Sequence, residues 1–253
     1  MPLPYGSTEV DAVLFDLDDV LVPFQTPAAW QWAWHPQGPV LGERRVRAAV
    51  RRALKEWDRR RWRGLTARDP PADLTTLQEH LRASLAAVAG HALPEAETEA
   101  VVRRLMRPAG EVERFADVAP ALERLRVAGV RWGIATSLPS ESAQWLVHRV
   151  GIDPTRVVLT GEAAPSLPAR EAFLAAVTRL DAPPDRVAFV GDLFWSDVRA
   201  AARAGLAALL LDRHDAWPKV HAGRIARLDD LESGLAAGGA PEPTDDVPSD
   251  STK

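Results

Sequence analysis

Residues 11–22 read Asp11-Ala-Val-Leu-Phe-Asp-Leu-Asp-Asp-Val-Leu-Val22, an apolar run that ends in alternating carboxylates. The run is typical of a buried strand, and side-chain alternation places Asp16 and Asp18 on one side of its end. Burying two like charges close together is unfavourable unless a cation neutralises them or one of them holds a proton. The stretch therefore predicts either a metal site or acid/base chemistry.

Composition limits the classes of protein that the chain could represent. Its 253 residues, of which 46% are hydrophobic, suffice for one large domain or for a core with an insert. The net charge of -4 predicts no general attraction to nucleic acid or to an anionic membrane. The absence of cysteine excludes a disulfide scaffold and thiolate catalysis. No signal segment or membrane-length apolar run is visible, so we expect a cytoplasmic location.

Residues 23–112 are rich in tryptophan, arginine and helical spacing, unlike the segments on either side. We expect an inserted helical domain with helices at residues 42–63, 73–89 and 95–106. The arginines around residues 59–63 could form a nucleic-acid patch. Helical spacing distributes these arginines around the exposed sides of the helix, with acidic residues among them. This pattern favours a solvated helix face, so we expect no nucleic-acid partner.

From residue 113 onward, strands and helices alternate. The expected strands, with the first one at 12–17, are 130–135, 157–159, 186–190 and 207–211. The expected helices are 120–128, 140–150, 168–180 and 197–204. This alternation predicts an α/β core with a parallel sheet flanked by helices, formed by residues 1–22 and 113–236. Residues 237–253 are mostly Gly, Pro, Asp and Ser, which is typical of a disordered tail.

Polar residues follow the expected strands at their carboxyl ends, where ligands bind to parallel sheets. They are Asp16 with Asp18, Thr136 with Ser137, the turn Ser166-Leu-Pro168, and Gly191-Asp-Leu-Phe-Trp-Ser-Asp197. In order and spacing, these motifs resemble those of the haloacid dehalogenase-like (HAD) hydrolase superfamily, over the chain up to its tail. The resemblance implies a Rossmann-like core and an α-helical cap at residues 23–112 that closes over a phosphate site.

The same resemblance implies a role for each acidic residue. Asp16 would be the nucleophile that forms an aspartyl-phosphate, and Asp18 would protonate the leaving oxygen and then activate water. Mg²⁺ would be held by Asp16, the backbone carbonyl of Asp18 and Asp192, because an all-oxygen ligand set favours it over zinc. Asp197 would lie beside these ligands. An ordinary turn and a helix N-cap are the alternative for Asp192 and Asp197.

Asp18 also bears on the kind of reaction. Dehalogenases of this superfamily lack an acid two residues after the nucleophile, so the sequence favours a phosphatase or phosphotransferase acting on a small phosphorylated metabolite. Thr136 and the N–H of Ser137 would hold a phosphoryl oxygen. The alternative for Thr136 is a cap of the following helix. The substrate and the oligomeric state stay open.

The third motif departs from the family pattern, because Leu167 stands where the family has lysine. Losing one preorganised charge of this kind costs about 3 kcal/mol of transition-state stabilisation. Arg170 is the nearest substitute, with Pro168 expected at the first helical position; an arginine of the cap or a solvent-facing role for Arg170 are the alternatives. Two other functions remain open: a catalytically weakened protein with a binding or regulatory role, and a phosphomutase.

Overall fold

The computed structural model describes residues 3–5, 8–23, 43–66, 74–90, 112–163, 165, 167–220 and 222–238. Contacts between residues divide the chain into two compact units. Residues 1–22 and 114–253 form the first, called the core unit below, and residues 23–113 form the second, called the inserted unit.

The core unit contains a short antiparallel hairpin, β1 (Leu3–Tyr5) and β2 (Thr8–Val10), and a parallel sheet. Within the described residues, the sheet has six strands in the order β5-β4-β3-β6-β7-β8. They are β3 (Ala12–Phe15), β4 (Arg131–Ala135), β5 (Val157–Leu159), β6 (Val187–Gly191), β7 (Ala207–Leu211) and β8 (Arg224–Ile225). The predicted parallel α/β core is confirmed.

The strand order reverses its winding direction at β3, so a crevice is expected at the carboxyl end of this strand. From β3 the chain winds outward through β4 and β5, and then returns to β6 on the other side of β3. Such a reversal of winding direction is where open parallel sheets bind ligands. Phe15 is level with Ile134 on one neighbour and with Val190 on the other, so the residues that follow these strands meet at one edge.

The strands are buried because helices cover the sheet. Every residue of β3, β6 and β7 is buried, as their uninterrupted apolar sequences predict. The core unit's helices are α3 (Val118–Ala128), α4 (Ser140–Arg149), α5 (Arg170–Arg179), α6 (Ala200–Ala204) and α7 (Leu231–Ala237). On the sheet, Phe173 of α5 contacts Phe189 of β6 edge to face, with ring centroids 5.1 Å apart.

The inserted unit has two described helices, α1 (Glu43–Thr66) and α2 (Leu74–Ala89), which pack against each other. Ala49, Val50 and Ala53 of α1 and Leu81 and Leu85 of α2 are buried. The third helix expected in this region, residues 95–106, lies outside the described residues, as does the tail beyond residue 238. None of the described helices has the length and apolar character needed to cross a membrane.

Several boundaries differ from the expected ones. The strand expected at 12–17 ends at Phe15. The helix expected at 197–204 begins only at Ala200, because residues Phe194–Arg199 form a π-helical turn. The helix expected at 168–180 begins at Arg170, with Ala169 in an extended conformation, so Pro168 is not its first residue. The β1–β2 hairpin, β8 and α7 were not expected.

Candidate metal and phosphate site

Three carboxylates meet at the crevice beside β3. Asp16 follows β3, Asp192 follows β6, and Asp197 lies in the π-helical turn; one oxygen of each lies within 4.8 Å of the others. The backbone N–H of Asp16 donates to the carbonyl of Val190 at 2.9 Å, which fixes the end of β3 against β6. Only oxygen donors are supplied, and oxygen donors with clustered negative charge are what a hard dication such as Mg²⁺ binds.

The three clustered carboxylates carry negative charge that the described residues around them do not neutralise, as the raised pKa of Asp192 indicates. Burial raises the pKa of Asp192 well above its ordinary value, and the carboxylates of Asp19, Asp197, Asp16 and Asp18 raise it further. A carboxyl in such surroundings either keeps a proton or requires a cation. The observed cluster therefore fits a divalent metal in both donor chemistry and charge.

Asp18 lies in a closed loop beyond the end of β3. The loop is held by hydrogen bonds from Leu21 N–H and Val22 N–H to the carbonyl of Leu17, at 3.0 and 3.1 Å. Burial raises the pKa of Asp18 to about 7, and the carboxylate of Asp19 contributes to the shift. A carboxyl with that pKa gives up or accepts a proton near neutral pH, which suits general acid/base chemistry.

Asp19 was not singled out from the sequence, although it is one of the carboxylates that raise the pKa of Asp192. Its backbone has φ +52°, in the left-handed region, and its N–H donates to the carbonyl of Val22 at 2.7 Å. The turn at Asp19 changes the direction of the chain directly after Asp18, so the residues that follow do not continue along the axis of β3.

The turn between Asp192 and Asp197 depends on close packing. The carboxylate Oδ2 of Asp197 accepts the backbone N–H of Leu193 at 3.1 Å. A Cβ atom at Gly191 would stand 2.5 Å from that Oδ2 and 2.8 Å from Cγ of Asp197, so only glycine fits there. Asp197 thus bonds within its own turn, and the α-helix that follows begins at Ala200.

Thr136 and Ser137 follow β4 in a loop that is fixed to its neighbours. Thr136 is buried; its N–H donates to the carbonyl of Leu159 at 3.1 Å, and its Oγ1 accepts the N–H of Leu138 at 3.3 Å. Ser137 is exposed. Thr136 therefore shapes its own loop rather than capping α4, whose first-turn N–H at Ser140 donates to Glu162 at 3.1 Å.

Gly161 holds the loop after β5 against this segment. Its N–H donates to the carbonyl of Leu138 at 2.8 Å, and a Cβ atom at this position would collide with the carbonyl of Ser137. The loop that contains Thr136 and Ser137 is consequently positioned by two neighbouring strand ends.

In the third motif the structure describes Leu167, Pro168 and Arg170, whereas Ser166 lies outside the described residues. Leu167, which the sequence pattern aligns with the family's lysine, is a buried apolar side chain with 4% of its surface exposed. Arg170 is the exposed first residue of α5, and its guanidinium makes no ion pair with the described carboxylates.

Besides Asp19, two residues near the crevice were missed from the sequence. Trp217 donates its indole N–H to the backbone carbonyl of Asp192 at 3.1 Å, and Asp212 accepts the N–H of Trp217 at 2.7 Å. Asp212 follows β7 directly, so the strand-end rule that identified Asp16 and Asp192 could have found it. No sequence pattern indicates the contact made by Trp217.

Comparisons with known proteins identify the family of this chain. Residues 10–205 match the family model of the haloacid dehalogenase-like hydrolases. The glyceraldehyde 3-phosphate phosphatase of Methanopyrus kandleri is 32% identical over 101 residues, which are 39% of this chain and 43% of that protein. The match thus spans less than half of that relative.

Solved structures share the fold. A HAD-family protein of Bacillus subtilis, YfnB, solved bound to magnesium, superposes with a TM-score of 0.65 at 17% identity, covering 92% of this chain and 99% of that one. The L-2-haloacid dehalogenase of Xanthobacter autotrophicus gives a TM-score of 0.59 at 18% identity, covering 91% of this chain and 100% of that one. Because the model match spans most of the chain and the observed sheet agrees with it, this chain belongs to the haloacid dehalogenase-like hydrolase family.

Proposed function

We propose that the chain is a Mg²⁺-dependent phosphatase that hydrolyses a small phosphate monoester through an aspartyl-phosphate on Asp16. The observation that carries the proposal is the meeting of Asp16, Asp192 and Asp197 within 4.8 Å at the crevice edge, with Asp18 in the adjoining loop. The phosphatase relative from Methanopyrus kandleri supports the choice of reaction, since the fold alone is shared by phosphatases and dehalogenases.

In the first step, a carboxylate oxygen of Asp16 forms a bond to phosphorus while the bond from phosphorus to the ester oxygen breaks. Asp18 donates its proton to the departing oxygen. In the second step, Asp18 takes a proton from water as that water attacks phosphorus, releasing inorganic phosphate and restoring Asp16.

The other residues position and neutralise the phosphoryl group. Asp16, Asp192 and the backbone carbonyl of Asp18 would hold Mg²⁺, which supplies the positive charge that lets one anion approach another. Thr136, the N–H of Ser137 and the guanidinium of Arg170 would bind phosphoryl oxygens.

The proposal is tested by hydrolysis of p-nitrophenyl phosphate and of a panel of phosphorylated metabolites, with Mg²⁺ or with a chelator. We expect activity in Mg²⁺ only, and its loss in Asp16→Asn and Asp192→Asn. Asp185→Asn is the matched control, because Asp185 is an exposed acid that precedes β6 at the opposite end of the strand. Equal inertness of the wild type and Asp16→Asn across the panel would refute a phosphatase.

The buried Leu167 favours a second candidate, a catalytically weakened HAD protein whose main role is to bind a phosphorylated ligand. The two candidates differ in whether Arg170 supplies the positive charge that the family's lysine would otherwise provide. If the chain is an active phosphatase that uses Arg170, Arg170→Ala lowers kcat/KM by about a hundredfold, and Arg179→Ala, at the exposed far end of α5, does not.

If the chain is instead weakened by the loss of the lysine, Leu167→Lys raises kcat/KM by about a hundredfold. Leu167→Met is the control, since it keeps an apolar side chain without adding charge. An active wild type with little response to Leu167→Lys would favour the phosphatase that uses Arg170.

A further inference from the structure

The peptide unit between Asp192 and Leu193 is held from both sides. Its carbonyl, on Asp192, accepts the indole N–H of Trp217 at 3.1 Å, and its N–H, on Leu193, donates to Oδ2 of Asp197 at 3.1 Å. The carbonyl and N–H of a trans peptide point in opposite directions, so two partners on opposite sides fix the rotation of the peptide plane. The side chain of Asp192 is attached to the Cα atom at one end of this plane, so fixing the plane also restricts the direction of the side chain.

Trp217 reaches this peptide because its own loop is closed by Asp212. The carboxylate of Asp212 accepts the N–H of Ala216 at 2.6 Å and the N–H of Trp217 at 2.7 Å. Arg224 of β8 donates to the same carboxylate through Nε at 2.9 Å. Asp212 is buried at the end of β7, so the loop is anchored to the sheet beside the strand that carries Asp192.

Packing adds a second restraint on the indole. The Trp217 ring lies against Phe194, with centroids 5.6 Å apart, and Phe194 is buried in the turn that follows Asp192. The indole is therefore held through its ring as well as through its N–H, and both contacts are made to the turn between Asp192 and Asp197.

We infer that Trp217 is a positioning residue for Asp192, presented by the loop that Asp212 closes, and that it orients this carboxylate toward the cation. The inference rests on the proposed function for the presence of the metal. In this role Trp217 acts on the carboxylate through the Asp192 backbone carbonyl. Partners that orient a ligating group typically change metal affinity by about tenfold or more when removed.

The test is Mg²⁺ binding by isothermal titration calorimetry, with the unfolding midpoint in a chelator measured in parallel. Trp217→Phe keeps an aromatic ring beside Phe194 and removes the N–H donor. We expect about tenfold weaker Mg²⁺ binding with little change in the midpoint without metal. Trp132→Phe is the matched control, since it removes an indole N–H near the amino end of β4 and should bind Mg²⁺ like the wild type.

A second variant tests whether Asp212 acts on the metal site by holding the loop that carries Trp217. Asp212→Asn retains Trp217 but replaces one of the carboxylate oxygens that receive N–H groups, so we expect Mg²⁺ binding to weaken here too. In the double variant the two losses should not add, because Asp212 acts through Trp217. Additive losses would overturn this route, and Asp212→Asn also serves if Trp217→Phe does not fold.

The outcomes separate this inference from the proposed function. If Trp217→Phe binds Mg²⁺ as the wild type does while Asp192→Asn does not bind it, the inference is wrong and the metal site stands. If the wild type itself binds no Mg²⁺, both are wrong. Weaker binding in Trp217→Phe with an unchanged midpoint supports the inference, because a purely structural role would lower the midpoint.

Discussion

The absence of a side chain at Gly191 lets the carboxylate of Asp197 pack against the end of β6. Gly191 ends β6, and the space that its side chain would need is filled by the carboxylate of Asp197. Asp197 in turn binds the N–H of Leu193, directly after Asp192. The glycine is therefore required by contact with the site rather than by a left-handed backbone conformation.

We predict that Gly191→Ala destabilises the protein by about 1–3 kcal/mol and weakens Mg²⁺ binding, because the new methyl group must displace Asp197. Urea unfolding with Mg²⁺ and with a chelator measures both effects. Gly133→Ala is the control: it also adds a methyl group within a buried strand, but that methyl meets movable side-chain ends of Val158 and Leu180 at 3.0 and 3.1 Å. Equal losses in the two variants would contradict the role given to Asp197.

Two of the clustered carboxylates could be predicted from their position after a long apolar run, whereas Asp19 and Trp217 could not. Asp16 and Asp192 each follow a run that reads as a buried strand, and parallel strands bring their carboxyl ends to one edge. Asp19 and Trp217 act through a left-handed turn and an indole hydrogen bond. Both depend on chain geometry that neither periodicity nor composition specifies.

At the scale of elements, one ion pair joins four segments of the core unit. Arg213, after β7, donates to both oxygens of Asp117 at 2.8 and 3.0 Å, and to the carbonyl of Val20 at 2.9 Å. Asp117 also accepts the N–H of Leu228 at 2.8 Å, and the guanidinium stacks 4.0 Å from the Phe115 ring centroid. The loop after β3, the approach to α3, the end of β7 and the approach to α7 are thereby tied together.

Breaking this pair should be costly, because both side chains are more than nine-tenths buried. Arg213→Met leaves the Asp117 carboxylate buried without its partner, and we predict a loss of about 3–5 kcal/mol in the free energy of unfolding. Arg126→Met is the control, since Arg126 pairs with Glu123 on the exposed face of α3 and its loss should change little. Similar unfolding midpoints for the two variants would show that the buried pair is not structurally important.

The same pair predicts acid sensitivity. Burial raises the pKa of Asp117, but the hydrogen bonds from Arg213 and from the Leu228 N–H outweigh it, so the pKa lies below its ordinary value. A lowered pKa in the folded state means that the contribution is present above the unfolded pKa of about 3.9 and is lost as pH falls through the folded value. Unfolding measured from pH 6 down to pH 2 should show a smaller acid-induced loss in Asp117→Asn than in the wild type.

Elements were predictable where packing and periodicity agree. The strands expected at 157–159 and 207–211 have the expected bounds, because each is a short apolar run between turn residues. The β1–β2 hairpin and β8 have two or three residues each, too few to show periodicity, and they form by pairing with neighbours. The π-helical turn, which starts at Phe194, places Asp197 toward Leu193, a tertiary requirement that local spacing does not reveal.

At the scale of the whole molecule, the fold does not select the reaction. A similar fold is found in a magnesium-bound HAD-family protein and in a dehalogenase, both under 20% identical to this chain. The proposed phosphatase reaction depends instead on the local chemistry at the crevice, where Asp18 would add an acid next to the clustered carboxylates. The core provides parallel strand ends, and the side chains on them determine the function.

The clustered carboxylates also contribute to how the stability of the whole molecule depends on pH. Burial raises the pKa of Asp18 to about 7, and burial and neighbouring carboxylates raise that of Asp192. A carboxyl whose folded pKa is raised stabilises the protein below the unfolded pKa of about 3.9, and this contribution is lost as pH rises through the folded value. Without metal, the site should therefore destabilise the protein between about pH 4 and pH 7, opposite in direction to Asp117.

Mg²⁺ should reverse this loss, because it binds the ionised carboxylates of the folded state only. We predict that the rise in melting temperature caused by Mg²⁺, measured against a chelator at each pH, increases from pH 5 to pH 8. In Asp192→Asn that rise should be lost and the chelator curve should fall less steeply, whereas Asp185→Asn should match the wild type. A Mg²⁺ effect that is the same at every pH would contradict the link between metal binding and the ionisation of these carboxylates, since each cation bound must then displace no proton.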